Sequence, residues 1–396
     1  MLGSLGTRIT LLGIALGLVI GLLAGQAILE SVSPVEPEYS AENAKVKSVE
    51  YSFRVVPILE VKHYRMGQLI WSYTKEGDPL TGNFMSFVIG NFLGQRYNPG
   101  GPTTVANTGN FTHTNALNTE YIGGGSLDVQ GLYIAIGSGN KPFEPGDFNL
   151  NNTLQSKGEL SLSFGRSFNQ THYIASVSAS FGSTTQTLNV NEIGLLLKRT
   201  VQHYYLIARD VLPSTISLAP GDQLIVTYRF VFEEPVVYNF AELISRYILA
   251  WGTYNNGSTG NFKDKTGATW PGIDLYTDST GGDTIKEVVY AELYQANGTP
   301  SFDMTWYGPQ PGDTLLWSGS PTIGFSINST TACIDVIVNV GVPPGTTGDY
   351  LAVFLKTDAN VTSGALEKDF ALFYTVFNPP LQGGNQYTID LRICFG

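Results

Sequence analysis

Acid–base catalysis needs a nucleophile, a base and an orienting group brought together, and the side chains suited to it are sparse in this chain. Its four histidines, His63, His113, His172 and His203, are scattered, and none pairs with another at metal-ligand spacing. The sequence contains no GxSxG turn, HExxH helix or phosphate-cradling glycine loop. A hydrolase or nucleotide enzyme therefore lacks its usual physical support. The chain reads as non-catalytic, with no metal site and no cofactor. The GSG at Gly137 to Gly139 reads as a strand-ending turn in which glycine supplies a positive φ. Asp274, Asp278 and Asp283 carry oxygens of the kind calcium takes, but without EF-hand spacing, and read as a solvated loop.

Two further residue classes bear covalent chemistry. Cys333 lies in the apolar run ACIDVIVNV and Cys394 in the last predicted strand. An exterior location permits a disulfide between them, and two buried thiols are the alternative. Glycosylation sequons occur at Asn110, Asn151, Asn169, Asn256, Asn328 and Asn360, mostly beside turn residues. A seventh, at Asn297, is disfavoured by the proline after its Gly-Thr.

The elements that must carry these residues are β-strands. Charged residues make up only 14% of the chain against 12% aromatic residues, with 45 glycines, a balance that favours strands and turns. The formal charge of -11, with no Lys/Arg cluster to offset repulsion from phosphates, disfavours nucleic acid as a partner. A length of 396 residues exceeds what one hydrophobic core usually serves, which predicts two domains.

Residues 1–8 read as an internal tail and 9–29, ITLLGIALGLVIGLLAGQAIL, as a transmembrane anchor, although AGQA also reads as a signal-cleavage site. Gly13, Gly17, Gly21 and Gly25 would line one helix face with a groove for a second helix. Arg8 before the span and Glu30, Glu36, Glu38 and Glu42 after it place the bulk of the chain outside. Residues 30–45, with Pro34 and Pro37, read as an extended linker. Val49, Tyr51, Phe53 and Val55 then alternate with polar residues as a half-buried strand. That strand is either the first of its own domain or a segment donated to the open sheet of a neighbouring copy.

The rest of the chain repeats itself. NFMSFVIGNF from Asn83 and NFAELISRYI from Asn239 open alike, and an apolar stripe at Phe240, Leu243, Ile244, Tyr247, Ile248 and Trp251 predicts an amphipathic helix. GDQLIVTYRFVF from Gly221 and GNQYTIDLRICF from Gly384 close alike. Between them, EIGLLLK from Glu192 matches YLAVFLK from Tyr350, and YYLIARDVLP from Tyr204 matches DFALFYTVFNP from Asp369. The expected fold is all-β: two tandem antiparallel β-sandwich domains of jelly-roll type, 46–236 and 237–396, each opened by an amphipathic helix, after the N-terminal membrane helix.

Residues 83 to 232 also resemble small structural proteins of tailed phages and other viruses, of the tail-fibre-like or virion-structural kind. The ordered pieces are the opening helix from Asn83, GLYIAIGSG with KPFEPGD, NEIGLLLK, LIARDVLP and PGDQLIVTY. The resemblance implies a non-enzymatic virion component. With an anchor, that becomes a surface projection for display or host attachment, whose partners are further copies of itself, the membrane and other virion or surface proteins. Two alternatives remain open: an archaeal filament subunit that donates the strand near Val49, and a tethered module binding host-surface glycans through Trp270, Trp306 and Trp317.

Overall fold

The structure, a computed structural model, describes residues 46–76, 80–81, 84, 104–106, 112–114, 131–144, 146–147, 149–157, 161–163, 172–182, 185–198, 204–233, 235–245, 262–270, 273–274, 288–327, 332–359 and 366–395. The expected tail, anchor and linker, with Gly13, Gly17, Gly21 and Gly25, lie outside these residues. Among the described residues no helix is long and apolar enough to cross a membrane.

The strands in chain order are β1 (Lys47–Arg65), β2 (Gln68–Glu76), β3 (Thr104–Ala106), β4 (Thr112–Thr114), β5 (Gly131–Gly137), β6 (Thr153–Lys157) and β7 (Ser161–Ser163). They continue with β8 (His172–Gly182), β9 (Leu188–Lys198), β10 (Tyr204–Leu218), β11 (Gln223–Glu233), β12 (Phe262–Lys263), β13 (Thr269–Trp270) and β14 (Ile273–Asp274). The last are β15 (Val288–Gln295), β16 (Thr314–Gly319), β17 (Thr322–Ile327), β18 (Ala332–Gly341), β19 (Thr347–Ala359), β20 (Leu366–Gln382) and β21 (Gln386–Phe395). One helix is described, α1 (Tyr238–Ile244). The chain is all-β in character.

The strand order shows the internal repeat directly. In the first half β5 lies between β6 and β9, and β9 between β5 and β10; β8 lies between β7 and β11. In the second half β15, β16, β17, β18, β19, β20 and β21 take these seven roles in the same order. The two closing segments are β11 and β21, and each begins after a glycine at positive φ, Gly221 at 87° and Gly384 at 79°. The partner of IAIG, which no sequence match locates, is AELY of β15. Gly137 pairs with Glu192 as Tyr294 pairs with Tyr350, and Ala135 with Gly194 as Glu292 with Ala352.

What joins the halves is β1. Its residues 55–64 pair antiparallel with β11, whereas 47–55 pair with β21 in the one parallel pairing among the described strands. An eight-stranded sheet thus runs through both halves, with β1 at its centre and β2 added along β1 by a hairpin. The hairpin turns at Met66 and Gly67, both at positive φ, and leaves Met66, Leu69 and Ile70 exposed. The inner face of β1 belongs to one core that draws on both halves: Phe53 packs on Phe373 and Tyr51 on Phe377, while Leu59 and Val61 share that core with Val226 and Tyr228.

The expected division at 236/237 is not an exposed linker. Val236 and Val237 are fully buried; the Val237 amide donates to the Leu372 carbonyl at 3.2 Å, and the Tyr238 amide donates to that of Met304. Nor is α1 amphipathic over its described length, because every residue from Asn239 to Ile244 is buried. Its polar members are buried with partners: Tyr173 donates to the Glu242 carboxylate at 2.7 Å, and Asn239 exchanges hydrogen bonds with the Lys263 backbone. Of the first predicted helix only Phe84 is described, buried against Phe395 at 5.2 Å; the rest lies outside the described residues.

Candidate functional site

On the four-stranded sheet β10-β9-β5-β6, alternation sends Ile193 and Leu195 of β9 into the shared core and Glu192, Gly194 and Leu196 to the opposite face. That second face is covered by the loop between β5 and β6, whose Leu150 packs with Ala135, Leu196 and Leu206. The lid is fastened by a buried ion pair. Arg209 of β10 and Glu192 have fully buried side chains 2.9 Å apart. Arg209 also donates to Asp147 at 2.9 Å and to the carbonyls of Lys141 (2.8 Å) and Pro142 (3.2 Å). Glu192 accepts the amides of Gly139 (3.0 Å), Asn151 (3.2 Å) and Asn152 (3.0 Å). Both charges are therefore compensated by contacts to both ends of the loop, the condition under which such a pair persists in a protein interior.

This clasp explains the GSG turn differently from the expectation. Neither Gly137 nor Gly139 has a positive φ. A Cβ at either position would instead lie 2.6 Å or 2.4 Å from the Glu192 Oε1. Glycine is needed there for the close approach of the loop to a buried carboxylate.

The second half builds the equivalent lid from rings. Strand register places Tyr350 where Glu192 stands and Tyr374 where Arg209 stands. The loop between β15 and β16 lays Phe302 and Trp306 over them, with ring centroids 4.7 Å apart for Phe302 and Tyr350 and 5.5 Å for Trp306 and Tyr374. Tyr294 stacks on Tyr350 at 5.0 Å and Tyr290 on Phe354 at 5.4 Å. At the rim, Lys265 pairs with Glu292 and holds its ammonium 4.7 Å from the centre of the Phe354 ring. Burial, reinforced by neighbouring carboxylates, pushes the Tyr290, Tyr294 and Tyr350 hydroxyls far above the ordinary phenol range.

Two further carboxylates shape loops of their own. Asp264 accepts the Thr266 hydroxyl and amide, the Ala268 amide and the Trp270 indole N–H. Burial opposes its ionised form, but these donors together hold its carboxyl below the usual range. Asp222, in the turn before β11, takes a two-pronged contact from Arg65 at 2.8 and 2.9 Å and further bonds from His63 at 2.9 Å and the Ala219 amide at 3.0 Å. The Arg65 guanidinium holds this carboxyl well below the usual carboxylate range, against the effect of burial and with help from His63.

The sign of the resulting pH dependence follows from that depression. Below about pH 4, the ordinary Asp value, the unfolded chain binds a proton that the folded chain refuses, so stability is lost as pH falls. Asp222→Asn should cost about 1–3 kcal/mol at pH 7. The gap to the wild type should close in thermal melts taken from pH 5 downward. A gap constant over that range would show that the contact does not depend on the charge.

The residues singled out from the sequence are placed as follows. Val49, Tyr51, Phe53 and Val55 form the inner face of β1, paired within the same chain to β21. Cys333 and Cys394 are directly paired across β18 and β21 and are joined as a disulfide. Asn151 is exposed on the clasped loop; Asn110, Asn169, Asn256, Asn328 and Asn360 lie outside the described residues. Asp274 sits on β14, while Asp278 and Asp283 lie outside the described residues. The three tryptophans form no exposed stacking platform. Trp306 is buried in its aromatic lid, Trp270 is bonded to Asp264 under Lys368, and Trp317 packs on the shared core.

Sequence reasoning passed over Glu192, Arg209 and Asp147. Their signal was a Glu and an Arg interrupting the apolar runs NEIGLLLK and LIARDVLP, inside the same pieces that carry the viral resemblance. Chemically, these clusters hold loops: the charged groups described here are occupied by partners on neighbouring elements. No protein family, curated protein or solved structure matches the chain.

Proposed function

We propose that this chain is a non-catalytic structural subunit of an exterior assembly, a membrane-anchored surface projection of the virion kind used for display or attachment. The observation that carries this reading is the repeated strand order wrapped around one shared strand, with each half closing an outer sheet face under a fastened loop. Rigid loops on duplicated sheets suit display and repeated contact with neighbours. The view of the two halves as related sandwiches of jelly-roll type belongs to the same proposal, as does the anchor at 9–29. A specific observation favours a second reading, a filament subunit assembling by strand donation: the segment named for donation is held by the only parallel seam among the described strands.

Electron microscopy of membranes or particles carrying the full chain, labelled with an antibody to the exterior part, tests both readings. Regular projections or fibres bearing the label are expected. Label dispersed over the membrane as single molecules overturns the proposal.

A further inference from the structure

The second half repeats β5 to β11 as β15 to β21, but among the described strands it has no leading strand of its own beside its closing strand. In the first half β11 lies between β8 and residues 55–64 of β1. In the second half β21 lies between β18 and a borrowed segment, residues 47–55 of β1. We propose that the edge of β21, Tyr387 to Phe395, is the acceptor of an exchange in which this slot is filled by Lys47–Val55 of a second copy of the chain. The inference rests on the reading of the chain as an assembling subunit and names the site through which it assembles.

Four observations point to a second copy as the occupant. The segment stands at the N-terminal end of the described body, ahead of every other described strand. It changes partner at a single residue: Val55 pairs with both Phe232 and Phe395, and among the described strands Lys47 to Phe53 pair with β21 alone. Pro57 follows two residues later; a proline biases the residue before it, Val56, to extended backbone, which suits a segment reaching away from its own body. Nine residues span roughly 30 Å at about 3.3 Å each, enough to cross to a neighbour.

The contacts are also transferable. The inner face of the segment offers Val49, Tyr51, Phe53 and Val55, and the slot offers Phe373 and Phe377 beneath it. An identical slot on a second copy receives the same side chains in the same parallel register. Closed and exchanged states therefore differ little in contact energy, and local concentration decides between them. Copies crowded on one surface favour exchange; dilute copies favour closure.

The test uses full-length chains carrying Ser48→Cys or Thr388→Cys, two positions paired across this seam. The native cysteines are joined to each other and do not compete. Differently tagged single variants, assembled together and treated with a short bis-maleimide, should give a covalent heterodimer. The double variant, treated while dilute, should close within one chain, and the closed chain should lose at least ten-fold in assembly yield. If single variants assemble but give no heterodimer, and the closed double variant assembles like the wild type, strand exchange is wrong while the assembling role stands. If no chain assembles, wild type included, the functional reading fails and the exchange fails with it.

Discussion

Arg209→Met should destabilise the chain by about 3–5 kcal/mol, because it leaves the Glu192 carboxylate buried without its cation. The loss should appear as a fall in denaturant midpoint at unchanged slope. Pairing it with Glu192→Gln should recover much of that stability. The amide oxygen of Gln can still accept the Gly139 and Asn152 amides, and no charge then remains buried in that pair. A coupling of at least about 1.5 kcal/mol between the two sites is expected from the thermodynamic cycle.

Hydrogen exchange separates the role of the clasp from mere burial. In Arg209→Met the amides of Gly139, Asn151 and Asn152 should exchange faster, while those of β11 and β8 keep their protection. Uniform loss of protection across the first half would mean that the pair supports the core at large and not the loop in particular.

How much of this was legible in the sequence differs from element to element. Period-two alternation at Val49, Tyr51, Phe53 and Val55 marks the face of β1 that turns to the core, since a strand's pattern reports which face is buried. It does not report the partner. That β1 serves two closing strands, one antiparallel and one parallel, depends on pairings far apart in the chain, such as Val55 with Phe232 and Val49 with Ile389, and no local pattern encodes them. The repeat was readable where both halves face the shared core, as in β9 and β19. It was unreadable at β5 and β15, where Ala135 and Gly137 under a polar clasp are replaced by Glu292 and Tyr294 under an aromatic lid.

The same substitution pattern hid the lids. A Glu on an alternating strand normally faces solvent, so the charges in NEIGLLLK and LIARDVLP do not by themselves reveal that a loop closes over Glu192. Tyr350, Phe354 and Tyr374 read as one more β-rich stretch. The stripe from Phe240 is helical where it is described, with Phe240, Leu243 and Ile244 buried, but periodicity assumes one solvated face, and Asn239, Ala241 and Glu242 are buried as well.

Trp306→Ala should cost about 3–5 kcal/mol, while Trp306→Phe should cost less than about 1.5 kcal/mol. Trp306 touches Phe302, Tyr350, Phe354 and Tyr374, so truncation empties the centre of the aromatic lid. Its indole nitrogen is buried with no hydrogen-bond partner, so a phenyl ring loses area but no polar contact. The near-equivalence of Phe is thus a specific consequence of packing without a hydrogen bond. The tyrosines beneath stay neutral up to strongly alkaline pH, so the cost should be the same at pH 6 and pH 8. Thermal melts of both variants check the ranking, and binding to a glycan array checks the competing role. A Trp306→Ala chain that melts like the wild type yet loses glycan binding would return this residue to a recognition surface and remove it from the core of the second half.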